Sequence, residues 1–168
     1  TDRLLHTHMH VGTHMDAPLH MIAGGKYIDE IPLGSFFGPG VLIDARGKKT
    51  IDETILSGTI IPPGSFVLIY TGFGSRYRDP SYFDGYPPIS EGFAAAVVGR
   101  HIHAVGMDIL GPDQPPFATH KTLLGNGVLI IENLTNLEQL LEVKAFTVIA
   151  LPVKLHADAA PVRVVAVI

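Results

Sequence analysis

Residues 8–20 read HMHVGTHMDAPLH, placing four histidines and one aspartate within thirteen positions. Gly12 and Pro18 interrupt the stretch and work against a helix through it. Thr7, Val11 and Thr13 favour extended backbone, in which residues two apart share a face. His6, His8 and His10 then point one way, and His14 with Asp16 point together after a bend at Gly12. Such a bend brings His10 round to meet His14 and Asp16. Two imidazoles and a carboxylate suit Zn²⁺, Mn²⁺ or Fe²⁺. A plain cluster of surface histidines is the alternative, and the density of donors around glycine and proline weighs against it. The chain has no cysteine, so any metal must be held by His, Asp, Glu or backbone oxygen. Disulfides and thiolate catalysis are excluded for the same reason.

Further ligands have to come from elsewhere in the chain, and the stretch 115–133, PPFATHKTLLGNGVLIIEN, is the best source. His120 stands just before a helix stop. Glu132 closes the apolar run Val128-Leu129-Ile130-Ile131, where an acid is costly to bury unless paired or metal-bound. Asp108 follows the apolar Val105-Gly106-Met107 and fits a turn or cap equally well. His101, His103 and His156 read as structural or surface residues.

The remaining sequence frames one domain over residues 1–168. An apolar fraction of 46% excludes disorder, and no apolar run approaches the roughly 20 residues that span a bilayer. A net charge of −4 argues against a nucleic-acid partner, which usually needs a basic face. The start, TDRLLH, has no signal-like pattern, which fits a cytoplasmic protein. Gly and Pro, 18 and 13 residues, are spread along the chain as punctuation for many short elements. Strands are expected at 41–45, 65–72, 101–108, 127–133, 145–153 and 161–168. The last, PVRVVAVI, reads as a central strand buried on both faces, or as one pairing across a dimer interface. Helices are expected after a capping box at Thr50–Glu53, after Ser90, over 117–124, and after Asn136. The class is α/β, with a β-rich core and a few short helices.

His10-Val-Gly-Thr-His14-Met-Asp16-Ala-Pro-Leu-His20 resembles the HxGTHxDxPxH signature of the cyclase family, whose members include bacterial kynurenine formamidase and isatin hydrolase. VLIYTGFG (67–74), VGMDILGPD (105–113), HKTLLGNGVLIIENLTNLEQL (120–140) and LPVKLHADAAPVRVVAVI (151–168) resemble that family's later blocks, in order.

The resemblance implies a swivelling β/β/α fold and a homo-oligomer, a dimer or tetramer. It implies hydrolysis of a small amide, cyclic amide or lactone with one or two divalent ions per chain, Zn²⁺ ahead of Mn²⁺. Carried over by position, His10, His14, Asp16, His120 and Glu132 are the metal ligands and His20 is the catalytic histidine. The leading substrate is an aryl formamide such as N-formylkynurenine. An isatin-type cyclic amide or a lactone is the alternative, and a catalytically silent metal-binding protein of the same fold is the other. Two departures are expected to matter. The family's segment upstream of the signature is absent, and Gly111 stands where many relatives have serine. The chain has no Trp, so an aromatic substrate would stack on Phe or Tyr, with Phe73, Tyr77 and Phe83 as candidates.

Overall fold

A computed structural model describes all residues, 1–168. Its frame is set by three continuous apolar runs that become adjacent parallel strands. These are β3 (Phe66–Tyr70), β4 (Ala104–Met107) and β5 (Leu129–Glu132), preceded by β2 (Phe37–Asp44), which lies parallel to β3. The longer β6 (Phe146–Pro152) and β7 (Ala159–Val167) run antiparallel, and a three-residue β1 (His14–Asp16) pairs with both β5 and β7. The order β1-β5-β4-β3-β2-β6-β7 therefore closes into a barrel. Helices α1 (Glu91–Val98) and α2 (Ala118–Gly125) are the crossovers between β3 and β4 and between β4 and β5.

Apolar residues at successive positions of β3, β4 and β5 are explained by two cores, one on each face. Phe66, Leu68, Ala104, Leu129 and Ile131 join Met15, Val148 and Val162 in the cluster that fills the barrel. Val67, Ile69, Val105, Met107 and Ile130 face outward into a second cluster with Phe93, Ala94 and Val97 of α1 and Leu123 and Leu124 of α2. Strands covered on both faces carry no polar alternation, which is why these runs read so clearly.

Ser90 caps α1, its hydroxyl accepting from the Phe93 N–H at 3.1 Å. Three expectations are corrected. The 50–56 segment makes a single 3-10 turn, Glu53–Leu56, capped by Asp52 rather than Thr50. Asn136 adopts a left-handed conformation with φ of 62° and caps nothing through its side chain; only a 3-10 turn, Leu137–Leu140, follows. The C-terminal strand is not buried on both faces, because the barrel has a helix layer on one side only. Val165 and Val167 lie on the uncovered wall at 44% and 50% exposure. No helix is long and apolar enough to cross a membrane.

Candidate metal centre

β1 is short because it does one job, presenting two polar side chains on one face. With a two-residue period, Met15 turns into the barrel core while His14 and Asp16 face the helix side, both buried. The antiparallel register sets His14 opposite Glu132 and Asp16 opposite Ile130. Glu132, at the end of β5, therefore meets the two β1 residues. α2 packs over β5 and brings His120 in from above. Pro18 opens a 3-10 turn, Pro18–His20, that swings His20 back over the same spot.

Upstream, the bend expected at Gly12 is present, at a φ of +65° that favours glycine. Its carbonyl accepts from His14 Nδ1 at 2.9 Å and from Asn133 Nδ2 at 3.1 Å. A carbonyl only accepts, so His14 carries its proton on Nδ1 and directs the lone pair of Nε2 inward. Nε2 then lies 3.4 Å from Asp16 Oδ1 and 3.3 Å from Glu132 Oε2. The other Glu132 oxygen lies 3.4 Å from His120 Nε2, while His120 Nδ1 is held by Asp113 at 2.5 Å.

On the solvent side, His10 Nδ1 approaches Asp16 Oδ1 to 3.0 Å and its Nε2 meets Asp158 Oδ2 at 3.0 Å. His20 Nδ1 reaches the same Asp158 oxygen at 3.2 Å, and the His10 and His20 rings lie 4.1 Å apart. Two triplets that could hold a metal ion result, His14–Asp16–Glu132 and His10–Asp16–His20, each with donor atoms within 4.8 Å of one another. Asp16 belongs to both.

The fit to a cation is tested by what lacks a partner. His14 Nε2 and Asp16 Oδ2 are buried without any hydrogen bond, and Asp16 Oδ1 has only the 3.0 Å ion-pair approach of His10 Nδ1. Such groups cost several kcal/mol unless something compensates them, and a divalent cation held by these donors would do so. The charges respond accordingly. Burial lowers the pKa of His10, but the Asp16 and Asp158 carboxylates beside its ring nitrogens outweigh that and lift it to about 9. His120 is raised too, burial being overcome by Glu132 and Asp113. Burial pushes Glu132 up, reinforced by the Asp16 charge. His20 moves down through burial, with His10 and His120 adding to the effect.

All six residues singled out in the sequence, His10, His14, Asp16, His20, His120 and Glu132, converge here. His6 and His8 stay exposed on the leading segment. His156 pairs with Asp29 and stacks on Tyr27, and Asp108 accepts the amides of Thr71 and Gly72 as a loop anchor. Sequence reasoning missed Asp113, Asp158 and Asn133. The signal for Asp158 was present: an acid between alanines just before an apolar strand, the same pattern that exposed Glu132. Asn133 is held at a φ of 56° and accepts from the buried Tyr82 hydroxyl at 2.6 Å, which fixes the loop carrying Gly12. Gly111 lies against the centre, where a β-carbon would come within 2.9 Å of Glu132 Oε1.

Comparison with known proteins agrees with this geometry. Residues 2–114 match the Cyclase family model. The kynurenine formamidase of Salinibacter ruber is 30% identical over 162 residues, covering 93% of this chain and 74% of that protein. Isatin hydrolase A from Labrenzia aggregata, solved with benzyl benzoate, superposes with a TM-score of 0.83 at 29% identity, covering 95% of this chain and 73% of that one. A solved potential metal-dependent hydrolase with cyclase activity gives a TM-score of 0.78 at 34% identity, covering 96% and 80%.

Proposed function

The chain belongs to the cyclase family of metal-dependent hydrolases, and from that premise we propose that it hydrolyses a small aryl formamide such as N-formylkynurenine. The observation that carries the proposal is the Asp16 carboxylate, fully buried, met by the chain only through His10 at 3.0 Å and His14 at 3.4 Å on Oδ1, and common to both donor triplets. His14, Asp16 and Glu132, with His120 behind them, form one set of ligands, and His10 with Asp16 forms the start of a second. One or two ions per chain fit this arrangement, and the nitrogen and oxygen donors suit Zn²⁺ ahead of Mn²⁺.

When bound, a divalent ion lowers the pKa of water and polarises a carbonyl oxygen. The chain supplies the rest. His20, with Nδ1 tied to Asp158, keeps Nε2 free to take a proton from water and deliver it to the leaving nitrogen. Water oxygen joins the formyl carbon, the C–N bond breaks, and formate and the aryl amine leave. Tyr77 and Phe83, 46% and 61% exposed, offer aromatic surface for the aryl group. The Tyr77 hydroxyl lies 4.0 Å from where a β-carbon on Gly12 would stand.

Cyclic amide opening is the second reading, favoured by the superposition on isatin hydrolase A. It uses the same residues, with the leaving nitrogen retained in the product. A silent metal-binding role gives no reason for His20 to stand beside the ligands. We also read the protein as a cytoplasmic homo-oligomer. In support, Phe37, Ile149 and Val165 are aligned by register into one row on the uncovered wall of β2, β6 and β7.

The test is Zn²⁺-dependent hydrolysis of a panel of aryl formamide, isatin and lactone, run beside a chelated control. His20→Ala is expected to keep its metal and lose ~10²–10⁴-fold in turnover, the usual size of general acid–base help. Turnover unchanged in that variant would remove His20 from the mechanism, and loss of metal would make it a ligand instead.

A further inference from the structure

We propose that Asp158 is a positioning residue that serves the ligand side and the proton-transfer side of the centre through a single oxygen. The inference rests on the roles proposed above for His10 and His20. Asp158 Oδ2 lies 3.0 Å from His10 Nε2 and 3.2 Å from His20 Nδ1. An ionised carboxylate only accepts hydrogen bonds, so both imidazoles present an N–H to it. With a metal bound, one atom thus fixes both tautomers. His10 is left with Nδ1 for the centre, 3.0 Å from Asp16 Oδ1, and His20 is left with Nε2 as its free base. The same oxygen sets the spacing of the two rings, tilted by 36° with centroids 4.1 Å apart. Carboxylates behind metal-bound histidines commonly orient the ring and raise its basicity; here one carboxylate does this for a ligand and for the base beside it.

The backbone places Asp158 independently of its side chain. It is the residue before β7, and its carbonyl accepts from the Ala17 N–H at 2.9 Å, tying the start of β7 to the end of β1. The carboxylate itself is 39% exposed, so replacing it leaves no buried void. Asp158→Ala is therefore expected to fold, with Asp158→Asn, which keeps an acceptor oxygen but no charge, as the second variant.

Both variants are to be made alone and in a His20→Ala background. Turnover of an aryl formamide is measured at saturating Zn²⁺, and Zn²⁺ affinity is measured by chelator competition. Asp158→Ala should lower kcat about 10–100-fold with KM within about twofold, and weaken Zn²⁺ binding about tenfold. Asp158→Asn should recover part of the kcat loss. In the His20→Ala background, Asp158→Ala should cause no further fall in kcat while still weakening Zn²⁺ binding. Wild-type kcat and affinity in Asp158→Ala would overturn the proposal, as would a kcat loss that multiplies with that of His20→Ala. A wild-type protein without Zn²⁺-dependent turnover would count against the proposed function instead, and the affinity measurement would then decide the role of Asp158 by itself.

Discussion

Gly111 leaves no room for a methyl group beside Glu132, since a β-carbon there would sit 2.9 Å from Oε1 and 3.6 Å from both the Glu132 carboxyl carbon and His120 Cε1. Gly111→Ala should push the carboxylate out of line with His14 and weaken Zn²⁺ binding about 10–100-fold, the usual penalty for disturbing a ligand's orientation. Chelator competition checks this; affinity within twofold of wild type would show that Glu132 can shift freely or is not a ligand. Asp16→Asn makes a sharper contrast. It removes the charge shared by both triplets, so the stabilisation by Zn²⁺ should disappear, while in the metal-free protein the relieved burial cost of the charge offsets the lost 3.0 Å ion pair with His10 and melting should stay close to wild type. Metal-free melting several degrees lower would mean that Asp16 is held by protein contacts alone. At this scale the sequence was informative where ligand-type side chains crowd together, as around Asp16, and where an acid closes an apolar run, as Glu132 does. It was silent on Asp113 and Asn133, which lie in loops where polar residues are ordinary and only tertiary contacts, to His120 and to Tyr82, give them a task.

Ser90 and α1 show how far an element can be read from its own residues. The hydroxyl cap is local, three positions from the Phe93 N–H that donates to it, so pattern alone placed it. Ser90→Ala should cost about 1 kcal/mol in a denaturant titration, and a loss near zero would show that the cap is replaced by solvent. After Asn136 the helical pattern competes with a left-handed backbone at Asn136, whose side chain makes no cap, and only a 3-10 turn forms. β7 was misjudged for a different reason. An apolar run reports burial only if both faces have a layer to meet, and the helices α1 and α2 cover β3, β4 and β5 while leaving β6 and β7 bare. The bare wall makes its own prediction. Val165→Lys puts a charge in the row shared with Phe37 and Ile149 and should shift sedimentation toward the monomer. An unchanged assembly would place the interface elsewhere.

At the scale of the whole molecule, the barrel closes through the centre, because β1 is the strand that joins β5 to β7 and carries His14 and Asp16. Closure sets buried polar atoms without hydrogen-bond partners, Asp16 Oδ2 and His14 Nε2, side by side at the seam, with Asp16 Oδ1 facing His10. Metal binding and barrel stability should thus be coupled: an ion that binds only the folded chain stabilises it by about 2.7 kcal/mol at a hundredfold excess over Kd. For a chain of this length, each kcal/mol moves Tm by about 2–4 °C, so chelation should lower Tm by about 5–11 °C. His20→Ala should keep that difference, since His20 lies outside the buried triplet His14–Asp16–Glu132. Asp16→Ala should abolish it, because no other residue is common to both triplets. Thermal melts of the three proteins with Zn²⁺ and with chelator check all of this at once. Equal melting temperatures for wild type in the two conditions would uncouple the seam from the metal and leave the orphaned Asp16 Oδ2 to be satisfied by some other means.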